Sequence, residues 1–537
     1  QGMPSFKSIL NMISESFYKN KNDIEKNKTV IFNAMQKLQG EKYENEVDEK
    51  FYKIISELIL SNMDTIHGGL KGAPKFPQFF LYEYLLKQYE KNSDNLFYDL
   101  SVKSIDQICS GGIYDHIGGG ISRYSVDQYW LVPHFEKMLY DNAQLIGILN
   151  SFWQLTKKEA YKNKIYETVD WLKKDMLDSS AAFYSSYDAD SEGVEGKYYV
   201  WTYQELQKIL GNDFLFFTKL FDVYENGNWE GSNVLSCSEN LHIENDDYSK
   251  LRQLINTLYD ERIKRPKPTC DNKILCDWNG LAIDSIAKSS AIFRDEKLLN
   301  LAQQAFNFIK TSMYDGKTLY HSHCNSINKH EGMLEDYAYL IKAGITIFEI
   351  TTDEQYLKFS LELTETLIEN FGDEEGMFFI TSKMKDDIII RNKQIVDNVM
   401  PNANAVMIEN LTKLDFITGE RKYNQLNTKI IQDYSSRINK EYFGICSFLN
   451  SLDFFNNYQS IIITGINKDD NKKIYDQLIK KYLPNTIILM INEKTNIISK
   501  NNFLNQIEIK SESSIYLCKN NTCSLPSKSV EEILKMI

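Results

Sequence analysis

The densest run of groups able to move protons or hold a polar ligand is Asp115-His116-Ile117-Gly118-Gly119-Gly120-Ile121-Ser122-Arg123-Tyr124, followed by Trp130-Leu131-Val132-Pro133-His134-Phe135-Glu136-Lys137. Three consecutive glycines let a backbone approach a ligand or take positive φ, so this is a loop that presents an imidazole, a carboxylate and a guanidinium together. It is not a phosphate cradle, because it lacks the preceding strand and the following Lys-Ser/Thr. Pro133 suits the first turn of a helix through Tyr140 and Leu145, which predicts His134 at the positive helix end, biased toward its neutral form. His134 is then a candidate general base, with Asp141 and Lys137 near the same face. The alternative is a helix-start imidazole bonded to backbone.

Other polar clusters also precede apolar helical stretches: Asp277-Trp278-Asn279-Gly280, Glu335-Asp336-Tyr337, and Asp397 through Pro401-Asn402-Ala403-Asn404. Each could simply cap its helix. Aromatic residues beside the carboxylates and amides favour a ligand with C–H faces to stack and hydroxyls to bond, which describes a carbohydrate. Asp188-Ala189-Asp190-Ser191-Glu192-Gly193 opens like a calcium loop, but the twelfth position is Tyr199 where a bidentate Glu is required, so an EF-hand is rejected. A solvated acidic turn, or carboxylates presented to a polar ligand beside Tyr187, Tyr198 and Trp201, remain.

These residues need elements to position them. Apolar residues recur at helical spacing over 48–63, 79–90, 96–110, 136–154, 158–175, 277–291, 295–313, 335–350, 354–370, 402–417 and 422–437. Between alternate helices lie six short Gly- or aromatic-bearing phrases, at 67–70, 111–114, 182–184, 317–320, 376–379 and 443–446. Helix, turn and helix repeated six times predicts a mainly α fold, an (α/α)6 toroid of six helical hairpins, with an open solenoid as the alternative. In a closed ring the inner helices are parallel and their N-terminal ends meet at one mouth. The expected organisation is a helical lead-in over 1–45, the barrel over 46–455 with an insertion at about 184–275, and a small C-terminal α/β appendage over 456–537, where short apolar strands alternate with helices.

Composition narrows the partners. The 537 residues carry a net charge of −13, against nucleic-acid binding, and no apolar run has the length of a membrane span. The start, Gln1-Gly2-Met3-Pro4, has neither a basic nor an apolar signal region. Eight scattered cysteines without a CxxC suit reduced thiols and a cytoplasmic location, and the close pair Cys518 and Cys523 is expected to be two ordinary thiols. Nothing calls for a cofactor or a metal.

Long phrases resemble the spermatogenesis-associated protein 20 family of thioredoxin-domain-containing proteins: His67 through Pro77, Gly112 through Gln144, Tyr187 through Gly193, Asn228-Trp229-Glu230-Gly231 and Asp277-Trp278-Asn279-Gly280-Leu281. The resemblance implies an (α/α)6 barrel similar to the N-acylglucosamine and cellobiose 2-epimerases and the six-hairpin glycosidases. Members open with a thioredoxin-like domain bearing a Cys pair, and this chain begins just after it, so such a domain or protein is an implied partner. The related epimerases use a His late in the barrel, whereas this chain has none beyond His330.

Three functions follow. The first is proton transfer next to a sugar carbonyl, with His134 and His116 as base and acid and Arg123 or Arg391 steadying the enediolate. The second is a glycoside hydrolase or lyase using two carboxylates from Asp188, Asp190, Asp277 and Glu335. The third is a non-catalytic glycan- or protein-binding scaffold working with a thioredoxin-like domain. The ligand expected is a small sugar-like molecule, and its candidate contacts are Lys75, Phe76, Asp115, Tyr124, Trp130, Glu136, Trp201, Asp277, Trp278, Asn279, Glu335, Asp336, Tyr337, Arg391, Asp397 and Asn402.

Overall fold

Alternate helices of this chain differ in how much of their surface is apolar, and that difference sorts them into two rings. The computed structural model describes residues 4–40, 42–43, 47–237, 245–385, 387–438, 444–519 and 522–537. Phe443, in the sixth connecting phrase, lies outside them. After α1 (Phe6–Lys19) and α2 (Lys21–Gly40) come α3 (Glu49–Asn62), α4 (Phe79–Asn92), α5 (Asn95–Ser110), α6 (Leu139–Thr156) and α7 (Glu159–Trp171). An inserted segment with its own apolar cluster around Trp201, Phe217 and Leu258 holds α8 (Tyr203–Leu210), α9 (Phe214–Phe217) and α10 (Asn245–Arg262). The series resumes with α11 (Cys276–Phe293), α12 (Glu296–Ser312), α13 (Leu334–Thr351), α14 (Glu354–Phe371), α15 (Ala403–Thr418), α16 (Lys422–Arg437) and α17 (Cys446–Asn457).

In α11 and α13, 14 of 18 residues are buried, whereas α12 buries 6 of 17 and α14 8 of 18. Helices apolar on nearly every side must be covered on every side, and amphipathic ones need cover on one. Accordingly α4, α6, α11, α13, α15 and α17 pack side by side in a closed ring, α17 against α4 completing it, and α5, α7, α12, α14 and α16 pack outside. The sixth outer helix is α3, whose Tyr52 donates to the Leu449 carbonyl of α17 and whose Ser56 hydroxyl lies 2.8 Å from that of Tyr84 on α4. The fold is the (α/α)6 toroid that the repeat predicts.

The two rims differ. From inner to outer helix the chain turns in about two residues, the first left-handed: Ser93 (φ 54°), Lys157 (58°), Arg294 (57°), Thr352 (60°) and Gly419 (73°). The next residue is often Asp, and Asp94, Asp295 and Asp353 accept hydrogen bonds from the first turns of α5, α12 and α14. Connections from outer to inner helix are long and all gather at the opposite rim, the mouth.

Each long connection must be tied down before the next inner helix begins, and asparagine does this three times. Asn279 Oδ1 accepts the Phe183 N–H at 2.8 Å while its Nδ2 donates to the carbonyls of Phe183 and Leu275, both at 2.9 Å. Asn404 holds both sides of Phe378 in the same way, and Asn142 holds Ile121 and the Met138 carbonyl. All three are fully buried.

Short antiparallel strands lace the mouth: β1 (Tyr124–Ser125) with β2 (Pro133–His134), β3 (Lys137–Met138) with β4 (Ser186–Tyr187), β5 (Asp190–Ser191) with β6 (Val194–Glu195), β4 again with β7 (Cys270–Asp271), and β8 (Ile274–Leu275) with β9 (Tyr320–Cys324), which also pairs with β10 (Ile327–Glu331). The helix expected from Pro133 therefore starts at Leu139. Pro133 and His134 instead lie opposite Ser125 and Tyr124, a register that needs no proline N–H.

The C-terminal appendage is β11 (Gln459–Thr464), α18 (Lys468–Leu478), β12 (Thr486–Ile491), β13 (Ser514–Lys519) and β14 (Thr522–Cys523), in sheet order β12-β11-β13-β14 with β11 and β12 parallel. It lies across the C-terminal ends of the inner helices: Gln154 donates to Ile479 O, Arg294 pairs with Asp476, and Asn501 donates to the carbonyls of Phe416 and Ile417. Cys518 and Cys523, expected as free thiols, form a disulfide, since the hairpin register sets them opposite with Cα atoms 4.0 Å apart. Among the described residues no helix is long and apolar enough to cross a membrane.

Two stability outcomes follow. Asn279→Ala orphans a buried N–H and carbonyls, and urea unfolding is expected to show a loss of about 3 kcal/mol. Thr352→Gly relieves a left-handed β-branched residue and is expected to gain about 1 kcal/mol in the same assay.

Candidate functional site

The mouth begins with the first residues of α11 and α13, which their connections hold against one another. Asp336, fully buried, accepts the Asp277 N–H at 3.0 Å and the Met333 N–H at 2.7 Å, and His321 Nδ1 of β9 stands 3.0 Å from both its oxygens. Ligand-type atoms of Asp277, His321 and Asp336 all lie within 4.8 Å of one another. Burial, then the Asp336 charge, pushes the Asp277 carboxyl well above the usual carboxylate range. Burial works against a charged His321, but its hydrogen bond to Asp336 and the neighbouring carboxylates prevail and raise it to about 9. Burial also raises Glu335, whose Oε2 is buried without a partner. By residue type the three could ligate a divalent cation. The oxygens of Asp336 are already engaged by two backbone N–H groups and an imidazole, so the arrangement present is a hydrogen-bonded acid–base cluster.

A second group of side chains borders the first. Arg123 Nε donates to the Tyr140 hydroxyl at 3.1 Å, and the Tyr140 ring meets Trp278, the neighbour of Asp277, edge to face at 4.8 Å. Glu136 lies 3.9 Å from Arg123 and 3.6 Å from His134 Nε2, while His134 Nδ1 is 2.7 Å from Glu195. Tyr124 stacks on the His134 ring, and Phe76 packs on Tyr124. Asp141, in the first turn of α6, has a buried Oδ2 with no partner, and burial drives its carboxyl well up.

Below the mouth a cavity of about 290 Å3 runs down the ring axis. Phe79, Phe80, Tyr339, Phe454, Tyr475 and Tyr482 supply its aromatic surface, and eight charged residues of α4, α11, α13 and α15 line it among uncharged ones. Tyr339 links mouth and cavity: it lines the cavity, and Glu335, Asp277 and Asp397 all bear on its strongly raised hydroxyl after burial itself.

Several expected site residues do other work. His116 is buried with Nε2 3.1 and 3.0 Å from the carbonyls of Ser110 and Gly111, and burial lowers it to about 3, so it is a neutral backbone donor rather than an acid. Asp115 is held ionised beneath the glycine loop: despite its burial, Arg262 at 2.7 Å and Lys137 at 2.6 Å lower it well below the usual range. Lys137 therefore points away from Asp141. Lys75 pairs with Asp64 at 2.6 Å under Trp130, whose Nε1 donates to His67 O. Trp201 is buried in the insertion beneath Arg265. Arg391 donates to the carbonyls of Thr381 and Asn370, and Tyr337 packs on Phe371. Asn279 is a clamp and Asn402 a helix cap. Asp397 ties the α15 and α17 starts through the N–H groups of Asn402 and Ser447, with burial raising it to about 6. Asp188 and Asp190 are exposed on a surface turn and do not line the cavity.

Sequence reasoning passed over His321, Tyr140, Tyr339 and Glu195. His321 had a partial signal, since Tyr320-His321-Ser322-His323 alternates as a strand that puts both imidazoles on one face. The cavity charges had a clearer one: Glu83/Lys87, Asp284/Lys288 and Glu409/Lys413 are acid–lysine pairs four apart inside otherwise apolar helices.

No family model matches the sequence. Human spermatogenesis-associated protein 20 is 28% identical over 529 residues, spanning 88% of this chain and 67% of that protein. The chain is its homologue. An uncharacterized Caenorhabditis elegans protein is 26% identical over 583 residues, spanning 99% and 79%. Among solved structures, cellobiose 2-epimerase from Bacillus thermoamylovorans B4167 aligns with a TM-score of 0.48 at 9% identity, covering 71% of this chain and 85% of that one. A D-mannose isomerase gives 0.48 at 9%, covering 72% and 85%, and a family 76 mannosidase from Bacteroides thetaiotaomicron gives 0.45 at 10%, covering 75% and 96%.

Because His321 is raised above its ordinary 6.5, its protonated form stabilises the fold. That stabilisation is expected to be complete below pH 6.5 and lost as pH rises through about 9. Imidazole NMR should give a midpoint near 9, and His321→Asn should remove the slope of stability over that window; a midpoint near 6.5 would mean the ion pair is not formed.

Proposed function

We propose that the mouth of the ring is an acid–base site that moves a proton next to the carbonyl of a sugar-like molecule, in the manner of an epimerase or isomerase. One observation carries this reading: Asp277, His321 and Asp336 lie within 4.8 Å of one another, with Asp277 and His321 both inclined to hold a proton. Such an environment sets acid and base roles apart. Asp336, bonded to two backbone N–H groups, orients His321. Asp277 and His321 are the proton donors, and His134, flanked by Glu136 and Glu195, is the base across the contact chain Arg123–Tyr140–Trp278. Arg123 is the cation that steadies an enediolate. His116 has no part in this scheme.

A second reading has its own support. The cavity lysines are largely neutralised by neighbouring carboxylates, such as Lys342 by Glu409 at 2.8 Å, an arrangement that suits holding a polar ligand without turning it over. On that reading the ring is a glycan- or protein-binding scaffold working with a thioredoxin-like domain.

Proton NMR in D2O with reducing and N-acetylated sugars separates the two. Wild type is expected to place deuterium at C2 of at least one sugar, with Asp277→Asn, His321→Gln and His134→Ala each slowing exchange on the order of 10²-fold or more. Saturable binding without exchange by any sugar would instead establish the scaffold.

A further inference from the structure

The charges inside the ring are arranged in tiers. Inner helices run parallel from the mouth, so the acid of each acid–lysine pair lies nearer the mouth and the lysine one turn deeper. Glu83, Asp284 and Glu409 form the upper tier, and Lys87, Lys288 and Lys413 the lower; all six line the cavity. Only α13 inverts the order, with Lys342 above Glu349, and its charges bond across to the neighbouring helix: Lys342 to Glu409 at 2.8 Å and Glu349 to Lys413 at 3.1 Å. The appendage lines the deep end and adds Lys481.

The pairing is incomplete in a directional way. Lys87, 7% exposed, donates to the carbonyl of Asn450 at 2.9 Å and to Asn485 Oδ1 at 3.1 Å, and has no carboxylate partner among the described residues. Lys288 reaches Asp284 at 2.9 Å yet keeps 37% of its side chain exposed. At the upper tier Glu83 is exposed to the cavity and has no ion pair or side-chain hydrogen bond among the described residues. Five lysines thus face four carboxylates inside a chain whose net charge is −13. Lysines that only balanced helix C-terminal dipoles would not leave Glu83 without a direct ion pair above them. A hydroxyl-bearing body donates hydrogen bonds to carboxylates, and an anionic group is held by ammonium groups at short range in a low-dielectric interior.

We propose that the cavity takes an anionic sugar-like ligand, carboxylated or phosphorylated, with its hydroxyls against the Glu83 tier and its anionic end down toward Lys87 and Lys288. This names a substrate class for the acid–base reading of the mouth and rests on that reading for turnover, but not for binding.

Isothermal titration of the full chain with D-glucuronate and D-glucose 6-phosphate, against D-glucose and D-glucosamine, tests it. At least one anionic sugar is expected to bind about tenfold or more tightly than glucose, with glucosamine weaker still. Lys288→Gln should erase about tenfold of that preference, Lys288→Arg should retain it, and Lys87→Gln should lower anion affinity further, folding being checked by circular dichroism. Preference between the two anions would identify which anionic group is read. Equal or tighter binding of glucose or glucosamine, an unchanged preference in Lys288→Gln, or no saturable binding of either anion would overturn the proposal. Titrating Asp277→Asn keeps the two ideas apart: retained anion binding with no proton exchange in wild type would sink the acid–base reading alone, whereas exchange of neutral sugars without anion preference would sink only the cavity proposal.

Discussion

Asn142, Asn279 and Asn404 each sit in the first turn of an inner helix and satisfy both the N–H and the C=O of one residue in the connection arriving from the outer ring. Everything at the mouth depends on that amide. A long connection entering a packed ring carries backbone groups that water cannot reach, and each left without a partner would cost about 1–3 kcal/mol. The amide supplies a donor and an acceptor at once, so it fixes the connection in place and in direction. Asp277 and Trp278 stand where they do because Asn279, the next residue in the same turn, is bonded to the connection, and Tyr140 and Asp141 because Asn142 follows. The acid–base cluster is thus a by-product of how the ring closes its seams.

The inner helices face a conflict. Their outward and lateral surfaces must be apolar to pack, while their inward surfaces enclose a space too wide for side chains of opposite helices to fill with hydrocarbon. Charges placed one turn apart resolve it, since every lining carboxylate but Glu83 has a lysine within reach on its own or the adjacent helix, as in the Lys413 contacts to Glu349 and Glu409. Buried ion pairs of this kind add little stability over a well-packed apolar core. Their presence along the axis gives the lumen a polar lining.

The fold was legible because helical periodicity and six connecting phrases survive in the sequence, and an all-round apolar helix next to an amphipathic one is the pattern of two nested rings. Local chemistry was less so. Pro133 reads as a helix start by residue type, but Ser125 pairs with it first, as Tyr124 does with His134, and no propensity scale registers a two-residue strand. His116 and His134 look alike in sequence; one lies beneath Phe221 facing carbonyls and the other between two carboxylates. Asn279 could as well have been a ligand contact, since an amide that clamps backbone and one that binds hydroxyls are the same group. His321 was hidden by distance, reaching Asp336 from a hairpin 15 residues earlier.

The appendage has a consequence for how the cavity is made. Tyr475, Ile479, Tyr482 and Pro484 line it together with the inner helices, so part of its wall comes from chain outside the ring. The helix starts at the mouth and the wall at the deep end therefore belong to separate parts of the sequence. A change in the appendage can reshape one end of the lumen while leaving the acid–base residues at the other untouched.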